Sequence, residues 1–238
     1  MDGVGHIRSP YLRELKPTSG IGMWMYNLYL NALSWDKEDF LKAIGATSKI
    51  NTNILSKNPK LEAYDLITLV PNSRKLLLEA MAFFVCEPVA WEDEEKKFLV
   101  LDPTTKEPMG EINRENFEEV RKMILQMNYV SAGDTEKPVR HSSSKAQALW
   151  ETAQKFLKQE RKNTKSDSRM NLGNIISKVC AAGVGYTLLN IYDLTVFQLY
   201  DQFFQIGYLR AMKINEAAFS FHGGKKFDVQ AWLNPINR

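Results

Sequence analysis

The residues of this 238-residue chain whose types could do chemistry are three histidines, two cysteines and two glycine clusters. His6, His141 and His222 stand far apart, with no HExxH or paired spacing that would aim two imidazoles at one zinc ion, so no metal site is expected. Cys86 and Cys180 show neither CxxC nor Cys/His ligand spacing, and read as two buried thiols in a reducing compartment rather than as a disulfide. No GxSxG elbow occurs, although a nucleophile and its base can still meet in space alone. "GVGYTL" at Gly183 and Gly185 and "HGGKK" at Gly223 and Gly224 invite a phosphate cradle, but neither completes GxGxxG or GxxxxGK[ST]. Turns that end helices are the commoner use of such glycines. The chain is therefore read as having no catalytic residues, no cofactor and no metal.

Charge offers a second chemistry. The whole chain is only +3, with 31 basic against 28 acidic residues, too little by itself to imply nucleic acid. Residues 137–170 are different, with nine basic residues against Glu151, Glu160 and Asp167. Lys155, Lys158, Arg161, Lys162 and Lys165 are the candidates there for neutralising phosphates. The commoner reading is a solvated helix face, and Trp150 and Phe156 have helical spacing rather than that of a base-stacking platform. "WEDEEKK" reads as a charged hairpin turn rather than a carboxylate pair.

The elements that would have to position any site follow from periodicity and caps. "GIGMWMYNLYLNALSW", capped by Thr18 or Ser19, repeats apolar residues at helical steps and is expected to be a buried helix, with Trp24 and Leu28 on its stripe. "DKEDFLKAIG" offers the capping Asp36, an acidic first turn and the terminating Gly45. "INTNILSKNPK" reads as a connection. A helix is expected from Asn72, after Pro71, with Leu76, Ala80 and Phe83 or Phe84 on one face, stopped by Pro88. Val89 to Trp91 and Phe98 to Leu101 read as a hairpin, with a further strand near Gly110 to Ile112. Asn113 caps a helix carrying Phe117, Val120, Ile124 and Met127. "SAGDTEKPVRHSSS", 131–144, is a linker composition, and Lys145 to Lys162 is helical in pattern. Asn174 to Ala182 is expected to be a helix as well.

The sum is a mainly α, α+β protein with helical bundle regions and a small β-hairpin insertion. Its expected organisation is an N-terminal helical domain over 1–130 with the hairpin near 88–112, a basic linker and helix over 131–170, and a C-terminal helical domain over 171–238. Met1 to Pro10 is mixed and polar, and no run reaches the roughly 18 apolar residues of a spanning helix, so an intracellular protein without membrane contact is expected.

In "NIYDLTVFQLYDQFF", residues 190–204, Thr195 and Gln198 have the Thr-x-x-Gln relation of a capping box, placing a helix start at Thr195. Phe197, Tyr200 and Phe204 fall on one side of it, and Val196, Leu199, Phe203 and Ile206 on the neighbouring side. So wide an apolar arc calls for more than one packing neighbour.

This pattern of an Asn-Ile-aromatic-Asp-Leu-Thr turn, an aromatic helix and a tail ending near a Trp resembles uncharacterised structural or assembly proteins in the tail-gene clusters of phages of Gram-positive bacteria, including proteins grouped with tail assembly chaperones. The residues that carry the resemblance are Asn190, Asp193, Leu194, Thr195, Tyr200 and Trp232, and it is firmest over about 170–238. It implies no enzyme. It implies partners from the same phage, namely tail tube, tape-measure or baseplate components, with oligomers open, in the bacterial host cytoplasm during infection or in the virion. The expected partner surface is Phe197, Tyr200, Phe203, Phe204 and Trp232. Two other readings stay open: a phage-encoded inhibitor or modulator of a host protein, and a nucleic-acid-binding protein using 137–170.

Overall fold

The computed structural model describes residues 3–18, 20–45, 60–130 and 171–222. The chain divides into two compact units. Among the described residues the first comprises 3–130 together with Tyr192–Phe197, and the second comprises 171–191 and 198–222.

The first unit begins with an extended arm, a 3₁₀ turn Leu12–Leu15, and helices α1 (Gly22–Ser34) and α2 (Lys37–Ala43). Asp36 caps α2 as expected, accepting the Asp39 N–H at 2.7 Å, and Gly45 follows it at φ +77°. Helix α1 differs from the expectation in its face and its start. Its buried residues are Tyr26, Tyr29, Leu30, Ala32 and Leu33, whereas Trp24 is 73% exposed. Its N-cap position is Ile21, without a side-chain cap, so Thr18 does not start the helix.

Helix α3 (Ala63–Leu69) was not expected. Glu62 and Asp65 form a capping box at its start, with the Glu62 N–H donating to Asp65 Oδ2 at 2.8 Å. Val70 then ends α3 and opens α4 (Pro71–Phe84), because the proline ring disfavours a helical Val70 and suits the first helical position. On α4 the buried side chains are Leu77, Ala80, Met81 and Phe84, so the core face includes Phe84 rather than Phe83. The helix ends at Phe84, four residues before Pro88.

Strands β1 (Val89–Glu92), β2 (Lys97–Leu101) and β3 (Pro108–Ile112) form an antiparallel sheet in the order β1-β2-β3. "WEDEEKK" is the β1–β2 turn, with Glu92 opposite Lys97 and Lys96 at φ +52°. Lys97 is bonded by Glu111 and Glu95, which hold its ammonium's pKa above the usual lysine range. Helix α5 (Phe117–Met127) has its N-cap three residues after the expected one. Asn113 instead makes an Asx turn, its Oδ1 accepting the Glu115 N–H at 2.9 Å, and Asn116 takes the N-cap position.

The core of this unit joins helices to sheet. Helix α1 packs on α4 and α5, α3 on α4, and α4 on β1. Phe84, Phe98, Val100, Ile112, Phe117, Val120 and Ile124 are fully buried. Tyr64 of α3 packs between Phe98, which it meets edge-on at 6.2 Å, and Phe117, tilted at 5.1 Å, and its hydroxyl donates to the Lys96 carbonyl at 2.7 Å. Burial pushes the Tyr64 phenol pKa well up. Buried Asn128 accepts from the Tyr26 hydroxyl at 2.9 Å and donates to the Ile124 carbonyl at 2.7 Å, which fixes the end of α5 to α1.

The arm runs along this core. The Glu111 N–H donates to the Gly3 carbonyl at 2.7 Å, the Cys86 N–H to the His6 carbonyl at 2.8 Å, and the Arg8 N–H to the Phe84 carbonyl at 2.8 Å. A Cβ at Gly110 would sit 2.6 Å from the Gly3 oxygen, so this close approach requires glycine.

In the second unit, helix α6 (Leu172–Ala181) is capped by Asn171, whose side chain accepts the Asn174 N–H at 2.9 Å, and it buries Ile175 and Val179. Gly183 and Gly185, at φ +72° and +90°, turn the chain directly after it, which is the helix-ending role. Asn190 then closes a tight loop, accepting the Thr187 N–H at 2.7 Å and donating to the Gly185 carbonyl at 3.2 Å. Helix α7 (Val196–His222) begins one residue after the expected cap and, at 27 residues, is about 40 Å long. No helix among the described residues is long and apolar enough to cross a membrane.

Candidate functional site

Helix α7 carries four of the five aromatic residues expected to bind a partner. Phe197, Tyr200, Phe203 and Phe204 are all half-buried. Tyr200 and Phe204 stack at 6.5 Å, and Phe203 meets Phe204 edge-on at 5.6 Å. The Lys178 ammonium lies 5.6 Å from the Phe203 ring centre, a cation–π contact from α6. Burial raises the Tyr200 phenol pKa. Leu199 is fully buried, as its side of the expected arc requires. Phe197 is placed apart from the others, its ring 5.7 Å from Tyr129 within the first unit. Trp232 lies outside the described residues, as do Lys155, Lys158, Arg161, Lys162 and Lys165.

Sequence reasoning did not reach the C-terminal half of the same helix. Tyr208, Leu209, Ile214, Phe219 and Phe221 are exposed, with Ile214 at 68% and Phe221 at 84%. Phe197, Phe204, Tyr208 and Phe219 are separated by seven, four and eleven residues, steps that keep them on one stripe of a 3.6-residue helix. The α6–α7 loop adds Leu188 and Leu189, the latter 93% exposed. By helical spacing Tyr208 and Phe219 fall on one side, Ile214 and Phe221 on another and Leu209 between them, so the exposed apolar residues surround this half of α7 rather than forming a single stripe.

Residues 161–237 match the model of a family described as the YomV second domain. That family is phage-associated. No curated protein and no solved structure matches the chain. The YomV-like region contains α6, the Asn190 loop and all of α7, and it overlaps the stretch over which the phage resemblance is firmest.

Outside the YomV-like region, two groupings have chemical character. His6 is 78% exposed, but its Nδ1 lies 2.5 Å from Glu87 Oε1, and its backbone N–H donates to Glu87 Oε2 at 2.9 Å. Burial alone would raise the Glu87 pKa; the two bonds from His6, together with a bond from Glu87's own backbone and the His6 charge, outweigh it and hold the carboxyl below the usual range. Cys86 lies opposite His6 on the arm and is exposed, which corrects the expectation of two buried thiols; Cys180 is half-buried. The second grouping is an open cleft of about 570 Å³ lined by Asp36, Lys37, Glu62, Arg114, Glu118 and Arg121, among others. Its arginines are committed: Arg114 to Glu62, Asp65 and the Lys60 carbonyl, Arg121 to Glu118 and the Trp35 carbonyl. Among the described residues no group of three His, Cys, Asp or Glu side chains could hold a metal ion.

Proposed function

We propose that this chain is a phage protein that works without catalysis, by binding another protein through the apolar surface of α7, in tail assembly or as a virion component. The observation that carries the reading is the set of exposed apolar side chains between Tyr208 and Phe221, on the same helix as the aromatic cluster at Tyr200, Phe203 and Phe204. Desolvated aromatic anchors contribute most of the energy in many interfaces, and a helix laid into an apolar groove is a common way to present them. The match to a phage-associated family supports the phage setting, and the resemblance carried by Asn190, Asp193, Leu194 and Thr195 supports the tail. The partners are then tail tube, tape-measure or baseplate proteins.

The test is affinity capture of the tagged full-length protein from phage-infected cells at about 50 and 200 mM salt, with the captured species identified by mass spectrometry. Apolar packing barely responds to that change, whereas phosphate binding loses orders of magnitude. Recovery of tail proteins at both salts, lost in Tyr200→Ala, supports the proposal. A single stoichiometric host protein, or nucleic acid released at the higher salt, overturns it.

A further inference from the structure

The segment Tyr192–Phe197 belongs to the YomV-like region in sequence and to the first unit in space. What holds it there is the arm. Tyr11 and Thr195 form an antiparallel bridge, with the Leu12 N–H donating to the Leu194 carbonyl and the Val196 N–H to the Pro10 carbonyl, both at 2.9 Å. The Phe197 N–H donates to Ser9 Oγ at 3.0 Å, and Ser9 is buried. Arg13 pairs with Asp193 at 3.0 Å, and the Lys16 ammonium sits 3.7 Å above the Tyr192 ring.

We propose that this joint between Ser9–Lys16 and Tyr192–Phe197 is a latch: closed, it sets the first turn of α7 and keeps Phe197 against Tyr129; open, it releases Phe197 to the partner surface. The inference rests on α7 being that surface, and it adds its regulation.

Three observations support it. A helix leaves its first N–H groups without intrahelical partners, and here two of them, at Val196 and Phe197, are satisfied by residues more than 180 positions away. The start of α7 therefore depends on the arm. Second, Phe197 shares the stripe of Phe204, Tyr208 and Phe219 by spacing, yet its ring is engaged with Tyr129. Third, one end of the fastening is polar and accessible: the Arg13 and Asp193 side chains are 56% and 70% exposed, a setting in which ion pairs are weak and salt screens them, whereas Ser9 and Val196 at the other end are buried. An exposed end of that kind opens more readily than the core beside it.

The experiment is hydrogen–deuterium exchange of the full-length protein, with Arg13→Glu, Asp193→Arg, the double exchange of both charges, and Ser9→Ala, each at about 50 and 500 mM salt. Peptides covering 9–16 and 190–200 should exchange together, several-fold faster in either single charge variant and in the higher salt, and return towards the parent rate in the double variant. Binding of the dye bis-ANS should rise and fall with them. Peptides from 89–101 report on the core and should not change; if the charge variants disturb them, Ser9→Ala, which removes only the acceptor of the Phe197 N–H, takes their place. Independent exchange of the two peptides, no restoration in the double variant, or unchanged dye binding overturns the latch. The partner reading fails separately, if captured proteins are indifferent to Tyr200→Ala while the two peptides still open together.

Discussion

The two units use large apolar residues in opposite ways. In the first, Tyr64 packs on Phe98 and Phe117 and Phe84 on Tyr26, and its exposed apolar residues, such as Trp24 and Leu69, are far apart in sequence. In the second, α6 buries Ile175 and Val179 while α7 leaves Tyr208, Leu209, Ile214, Phe219 and Phe221 at the surface. Apolar content alone therefore does not say whether a segment folds a domain or recruits a neighbour. The proposed partner would supply for α7 the opposing surface that the first unit finds within its own chain.

The largest test of this contrast is Phe98→Ala. The ring is fully buried against Trp91 and Tyr64, and its removal should cost about 3–5 kcal/mol, read as a chemical-denaturation midpoint followed at the sheet. Ile175→Ala comes next, at about 2–5 kcal/mol. Its effect should fall on residues 171–222 and leave the sheet protected in hydrogen exchange; a single shared loss of protection would mean that the two units unfold as one.

Glu87 provides a smaller effect with a sign. Its carboxyl is held below the ordinary value of 4.5 by His6, so the folded state binds the proton less readily than the unfolded chain does. Stability from this group is complete above about pH 4.5 and is lost as the pH falls through and below that value. Glu87→Gln should cost about 1 kcal/mol at neutral pH and flatten the acid limb of the melting temperature against pH, because the part-buried, charge-assisted bonds from His6 are weakened. An acid limb unchanged by the substitution would assign it to other carboxylates. The smallest effect on stability is Phe221→Ser, within about 0.5 kcal/mol, since the ring is 84% exposed. Captured partner should nevertheless fall in that variant, and a stability loss as large as that of Ile175→Ala would show the ring to be packed.

Much of this architecture is legible in the sequence where the signal is local. The Asp36 cap, the Pro71 start and the alternation around "WEDEEKK" each lie within a few residues of the structure they dictate. Helix α3 is hidden because "AYDLITL" is seven residues long and buries five of them, so it shows no amphipathic period. Helix α1 is recognised but turned, since the apolar run contains Trp24 as well as the Tyr26, Tyr29, Leu30 and Leu33 face, and only packing chooses between them. The His6–Glu87 pair spans 81 positions and the Ser9–Phe197 bond 188, and no periodicity carries across such distances. The α7 surface is half legible: the aromatic cluster at 197–204 stands out, but the exposure of Ile214 and Phe221 is a property of what fails to cover them.

The antiparallel sense of the Tyr11–Thr195 bridge also decides how the joint carries a mechanical load. Tension drawn along α7 enters at the Phe197 edge of the joint, while the arm before Ser9 stays held to the first unit by its bonds at Gly3, His6 and Arg8. The Ser9–Phe197 and Pro10–Val196 bonds bear it first and the Leu12–Leu194 bond only after they part. The joint thus peels rather than shears, one bond at a time, and behaves under traction as a low-force fuse that lengthens the molecule before the sheet beneath is strained.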